Sequence, residues 1–299
     1  MSSERMKAVR EFLINAKKKG IFDGVTDNIA PEDMEWLKPA EIEQGVTFTP
    51  DNFNGVEVEL ATPEKLLGKC IILYIHGGAF TYGDTITSRP FASRLAKESG
   101  LCVYSLSYRL APSNPFPAAP NDCFTVYKAL LDKYPGIKIA LVGDSAGANL
   151  SLVTVLMALD AGIALPSSVT LYSVVSDFAT GLPSRKKFAE VDILASDDVD
   201  KEFRENYFID NDPHNPYISP LLGNYEGFCP LKVIVDSSES LFDDSDLLVQ
   251  KALEAGVEVD YQKWDDTFHA FPAYPTVASN TPESAQVIKD TAQFIKKYA

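Results

Sequence analysis

From Lys69 onward the chain alternates short runs that are apolar along their length with longer segments of helical spacing. The runs at 70–75, 101–106, 137–142, 169–174 and 231–235 carry no polar face, so each must be covered on both sides. Parallel strands joined by crossing helices satisfy that need, and the crossovers are then right-handed. A less apolar strand is expected at 257–262. Helices are expected at 88–99, 146–161, 244–255 and 285–298. Pro112, Pro115, Pro117 and Pro120 forbid regular structure until Asn121 can cap a helix running to 133. Upstream, residues 3–19 place Met6, Val9, Phe12 and Leu13 on one stripe of a further helix. The pattern predicts an α/β fold with a mostly parallel central sheet and helices on both faces. It fails between 176 and 215, a charged and aromatic stretch that reads as an insertion above the sheet. At 299 residues one large α/β domain is an ordinary size.

Asp and Glu outnumber Lys and Arg by 42 to 27, a formal charge of −15. Phosphate backbones need a basic surface, so nucleic acid is not expected as a partner, and anionic lipid or strongly anionic substrates are disfavoured. Cys70, Cys102, Cys123 and Cys229 have neither zinc-site nor disulfide-framework spacing. The first twenty residues lack a secretory apolar region, and no run approaches the 18 apolar residues of a membrane span. A cytoplasmic setting is the expectation. No metal cluster, nucleotide loop or flavin signature appears, so no cofactor is implied. A homodimer formed through an edge strand has no support in the sequence.

Gly143-Asp-Ser-Ala-Gly147 matches G-x-S-x-G. The match alone is weak, but it lies between a buried strand and a helix. A turn that sharp strains the central Ser145 and exposes its hydroxyl at the sheet's C-terminal edge, and the flanking glycines let strand and helix cross closely. His76-Gly77-Gly78-Ala79 follows the strand ending at Ile75. Gly77 supplies a turn, and the N–H groups of Gly78, Ala79 and Ala146 are the candidate oxyanion donors; Gly77 is retained in the candidate set. His76 reads as a brace for this loop.

Three histidines are present. His214 lies in a proline-rich loop, leaving His269, after the last strand, as the candidate base. The acid is less determined: Asp236, Glu239, Asp243, Asp244 and Asp246 all follow the strand at 231–235. Glu239, in mid-loop, is placed to lean toward His269, whereas Asp243 and Asp244 suit a helix N-terminus.

Together these residues resemble the hormone-sensitive-lipase-like carboxylesterases of the α/β-hydrolase fold. The resemblance includes Tyr108-Arg-Leu-Ala-Pro112, Pro115-Phe-Pro-Ala118 and Tyr217-Ile-Ser-Pro-Leu-Leu222. That family's acid stands in D-x-L-x-D; the matching string here is Glu239-Ser-Leu-Phe-Asp243, with Glu at the acid position. Ala79 stands where the family has the third glycine of HGGG. The resemblance implies a helical cap, assigned to residues 1–45 and 176–215, over a core at 46–175 and 216–299. It implies a small ester as substrate, attacked by Ser145 with His269 as base. A cap-limited cleft lined by Phe80, Phe178, Tyr207 and Phe208 would favour acetyl or butyryl groups, unless those aromatics form the core of the cap. A deacetylase or lactonase could use the same residues. A non-catalytic receptor is the remaining alternative, and retention of Ser145 and His269 argues against it.

Overall fold

The computed structural model describes residues 2–19, 33–193 and 199–299. Eight strands form one sheet: β1 (Val46–Phe53), β2 (Val56–Pro63), β3 (Ile71–Ile75), β4 (Cys102–Ser107), β5 (Ile139–Asp144), β6 (Ser168–Tyr172), β7 (Leu231–Asp236) and β8 (Val259–Trp264). Their spatial order is β1-β2-β4-β3-β5-β6-β7-β8. Strands β3 to β8 are parallel, and β2 runs antiparallel to both β1 and β4.

The period-2 geometry of a strand explains why these runs are apolar throughout. Ile71, Leu73 and Ile75 of β3 join Ile139 and Leu141 of β5 in one core, whereas Ile72, Tyr74, Ala140 and Val142 join the other. The first core is closed by α3 (Ala118–Lys133), α4 (Ala146–Asp160) and α7 (Phe242–Glu254). The second is closed by α1 (Glu4–Lys18), α2 (Thr85–Ser99) and α8 (Pro282–Tyr298). Helix α4 is buried along nearly its whole length; its sequence is mostly apolar, and the buried Asn149, Ser151 and Thr154 side chains donate to backbone carbonyls.

Three local outcomes differ from the sequence reading. Helix α2 begins at Thr85, because Asp84 accepts the Thr87 N–H at 2.7 Å while the Thr87 hydroxyl takes the Asp84 N–H at 2.9 Å, a capping box. Helix α3 begins at Ala118, ahead of Asn121; Pro120 fits inside its first turn, where a missing N–H leaves no helical acceptor unpaired. The hairpin β1–β2 was not anticipated. Its turn is Asn54-Gly55, with φ of 55° and 94°, between segments of alternating polarity, and that pair is a strong hairpin signal.

The described parts of the 176–215 insertion carry the short helices α5 (Pro183–Lys187) and α6 (Val199–Phe203) and a π-turn at Arg204–Phe208. The remainder of the expected cap, residues 20–32 and 194–198, lies outside the described residues. Helix α1 starts on an N-cap at Ser3 and buries Met6, Val9, Phe12, Leu13 and Ala16. Among the described residues no helix is long and apolar enough to cross a membrane, and all four cysteines are free.

Candidate active site

Ser145 sits between β5 and α4 with φ 52° and ψ −119°, a conformation that L-residues rarely adopt. The surroundings hold it there. Its N–H donates to Tyr172 O at 2.8 Å. A Cβ on Gly147 would stand 2.0 Å from Ile75 O, and one on Gly143 would stand 2.3 Å from Gly147 O. Only glycine at both positions lets α4 cross β3 and β5 this closely, and the closeness forces the turn.

The loop after β3 is built in the same manner. Gly78 has φ 103°, and Ala79 and Phe80 follow at 53° and 62°. The Gly77 N–H is taken by Asp144 Oδ1 at 3.0 Å, an oxygen that also accepts the Tyr74 hydroxyl at 2.7 Å. Gly77 therefore shapes the loop and has no N–H to offer an oxyanion, which corrects its place in the candidate set. Among the described residues nothing accepts the N–H of Gly78 or Ala79. Burial pushes the Asp144 carboxyl up to about 6, against the pull of these two hydrogen bonds. His76 is a brace, as expected: its ring stacks on Tyr108 at 4.3 Å and its Nδ1 lies 2.7 Å from Gly77 O. Burial pushes its pKa down to about 4, so it stays neutral at ordinary pH. The Tyr108 hydroxyl donates to His76 O at 3.0 Å. Arg109, next in the chain, forks onto Asp122 at the start of α3.

His269 lies in the loop after β8, buried to 3% exposure. Its Nδ1 is 3.4 Å from Glu239 Oε2. The pair is at ion-pair distance without a closed hydrogen bond, since among the described residues both ring nitrogens lack a partner of good geometry. Desolvation lowers the His269 pKa, and the adjacent Glu239 carboxylate outweighs it, leaving the pKa raised. Burial in turn raises that of Glu239.

The other candidate acids are engaged elsewhere. Asp236 takes the N–H and hydroxyl of Ser238 on one oxygen and those of Thr267 on the other, all at 2.6 to 2.8 Å. Asp243 accepts the Ser184 N–H, Asp244 pairs with Arg185, and Asp246 pairs with Lys263. His214 is exposed and pairs with Asp212.

Ser145, His269, Gly78 and Ala79 line one cavity of about 760 Å³. A hydroxyl, an imidazole backed by a carboxylate, and N–H groups without an acceptor among the described residues thus face one cleft, the set that acyl transfer needs. A family model described as alpha/beta hydrolase fold matches residues 72–273. The chain belongs to the α/β-hydrolase family. This hydrolase is similar to an acetyl-hydrolase of Streptomyces hygroscopicus, at 34% identity over 240 residues covering 80% of this chain and 79% of that one. An esterase of Acinetobacter venetianus is 34% identical over 228 residues, covering 75% and 74%. A crystal structure of a hormone-sensitive lipase from a metagenome library superposes with a TM-score of 0.86 at 31% identity over 100% of both chains. An esterase from the bacterial hormone-sensitive lipase family matches with a TM-score of 0.86 at 29% identity, over 100% of this chain and 99% of that one. The chain is an ester hydrolase of that hormone-sensitive-lipase-like branch.

The hydrolase's cavity is not lined by the four aromatics expected there. Phe80 stacks flat on Tyr207 at 3.6 Å, and Phe178 and Phe208 pack 5.5 Å apart beside them, all buried. They satisfy one another and form a core beneath the insertion, a correction to the pocket reading. The apolar lining comes from Tyr82, Val175, Phe203, Leu241, Ala273 and Tyr274.

Ser173 was not singled out from the sequence. Its hydroxyl donates to Glu239 Oε2 at 2.8 Å and accepts the Ala270 N–H at 2.8 Å, so one small side chain ties the carboxylate to the residue after His269. A serine just past a strand carries no signal of this; the link exists only once β6, β7 and the last loop are side by side.

Proposed function

We propose that this esterase cleaves short-chain acyl esters through an acyl-enzyme on Ser145. His269 takes the Ser145 proton as Oγ bonds to the ester carbonyl carbon. The tetrahedral oxyanion accepts hydrogen bonds from the N–H groups of Gly78, Ala79 and Ala146. The C–O bond to the alcohol then breaks, and His269 gives its proton to the leaving oxygen. Water repeats the sequence on the acyl-enzyme and frees the carboxylic acid and Ser145. Glu239 is the third member: it orients the imidazole and favours its protonated form. Residues 1–45 and 176–215 act as a cap, and a cytoplasmic setting accords with four free cysteines.

The observation that carries this reading is the 3.4 Å contact of buried Glu239 with His269 in the cavity that also holds Ser145. Phe203 and Leu241 line the same cavity as Ser145 and are the side chains proposed to limit acyl length. The test is hydrolysis of p-nitrophenyl esters from acetate to octanoate by wild type and Ser145→Ala, with fluorophosphonate labelling of both. Turnover should fall from butyrate to octanoate, and both turnover and labelling should vanish in Ser145→Ala. Equal turnover by the two proteins would overturn the proposal.

A further inference from the structure

Helix α1 carries two cations on one face, Arg10 and Lys17, seven residues or about two turns apart. Neither lines the cavity, yet Arg10 reaches the loop that holds Glu239 and Lys17 reaches the segment that grips that loop. Arg10 donates through Nε to Thr267 O at 2.9 Å and through Nη2 to Ser238 Oγ at 3.0 Å. Ser238 precedes Glu239, and Thr267 stands two residues before His269. Asp236 closes this ring by accepting from both Ser238 and Thr267. Lys17 donates through Nζ to Ala189 O at 2.6 Å and to Asp192 O at 2.7 Å. Asp192, buried, accepts the N–H of Ser240 at 2.6 Å and also its hydroxyl. Ser240 follows Glu239. The two chain neighbours of the acid are therefore each anchored, one directly by Arg10 and the other by the segment that Lys17 grips.

The carboxylate needs such anchoring. Its contact with His269 is loose at 3.4 Å, and among the described residues Glu239 Oε1 has no hydrogen-bond partner and the carboxylate's one firm tie is the Ser173 hydroxyl. A glutamate has one more rotatable bond than an aspartate, so its charge is placed only as well as its backbone is held. Resting on the reading of Glu239 as the triad acid, we propose that Arg10 and Lys17 are positioning residues for catalysis: α1 acts as a two-point latch that sets Glu239 against His269 by holding Ser238 and Ser240.

The test is a cycle of Arg10→Met/Lys17→Met and Glu239→Gln, read as kcat and KM on p-nitrophenyl acetate. In the wild-type background the latch variant should lose about thirtyfold in kcat with KM within about twofold, because the interaction removed serves the reaction and not the binding of substrate. In the Glu239→Gln background the same change should lower kcat by less than about threefold, since residues that act through one group are not additive. Arg10→Lys, which keeps a donor, should recover part of the loss. Lys7→Met, on the same helix but paired only with Glu4 at the surface, should match wild type. Equal losses in the two backgrounds, a rise in KM with unchanged kcat, or no loss at all would overturn the latch. If the double variant melts below the assay temperature, Ser238→Ala takes its place in the same cycle, with a kcat loss confined to the Glu239 background expected. A Glu239→Gln enzyme with wild-type kcat would instead remove the triad assignment, an outcome separate from failure of the latch.

Discussion

A carboxylate at 1% exposure is costly to ionise unless a positive charge stands beside it, and Glu239 is placed for that use. Desolvation raises its pKa, and a protonated His269 opposes the rise. Read from the imidazole, the same contact raises the His269 pKa above its ordinary value. As the proposed base, His269 must be neutral to take the Ser145 proton, so activity is expected to be lost as pH falls through that raised pKa. Glu239→Gln removes the largest charge that raises the imidazole pKa and leaves desolvation opposed only by the weaker pull of Asp192 and Asp144, so the pKa falls. Its kcat is expected to drop by about 10⁴, the scale set by a triad carboxylate turned amide, while the acid limb of kcat/KM moves to lower pH. A pH profile of the two proteins measures both; an unmoved limb would assign the acid elsewhere. Ser145, His269 and the Gly-Gly loop could be singled out because the chemistry proposed for them is written in local strings. The acid was less determined, because five carboxylates stand from Asp236, at the end of β7, to Asp246, and their partners are what tell them apart. Asp236 in particular has the tertiary task of tying Ser238 to Thr267.

At the scale of elements, apolar runs and glycine stops marked the strands β3 to β7 and a less apolar run marked β8, whereas the edge hairpin was missed because neither strand is continuously apolar: β1 mixes Thr, Pro, Asp and Asn with apolar residues, and β2 carries Glu57 and Glu59 on alternate positions. The aromatic segment 203–208 shows the same limit. Spacing announced an apolar cluster, but which rings face the cavity depends on the π-turn at Arg204–Phe208. Phe203 lines the cavity and meets Phe80 edge-on at 5.9 Å, while Phe80 itself is fully buried. The two should therefore separate specificity from stability. Phe203→Ala is expected to raise the octanoate-to-butyrate ratio of kcat/KM by about tenfold with a modest loss of stability. Phe80→Ala should cost about 3–5 kcal/mol and leave the ratio near that of wild type. Denaturant titration alongside the ester panel distinguishes them.

For the whole molecule, the excess of acidic residues leaves no Lys or Arg among the cavity-lining residues described, so neutral esters meet no fixed cation on entry. The reach of α1 is also a property of the whole: residues near the start of the chain brace loops some 230 and 257 positions away, and no short string could disclose that. Backbone strain is distributed in a comparable way. Of eight non-glycine residues with positive φ among the described residues, Ala79, Phe80, Ser145, Ser173 and Ala270 belong to the loops around the site. Such conformations cost of order 1–3 kcal/mol each and survive only where the rest of the fold overrules them. The bend at residue 145 accordingly sets resilience against reactivity. Ser145→Gly, which abolishes the nucleophile, should unfold at a higher temperature than wild type by calorimetry, while Ser145→Ala, just as inert, should gain nothing. The inert glycine form would outlast the working enzyme on heating, and the difference between their midpoints would measure the tension this fold keeps in its one reactive hydroxyl.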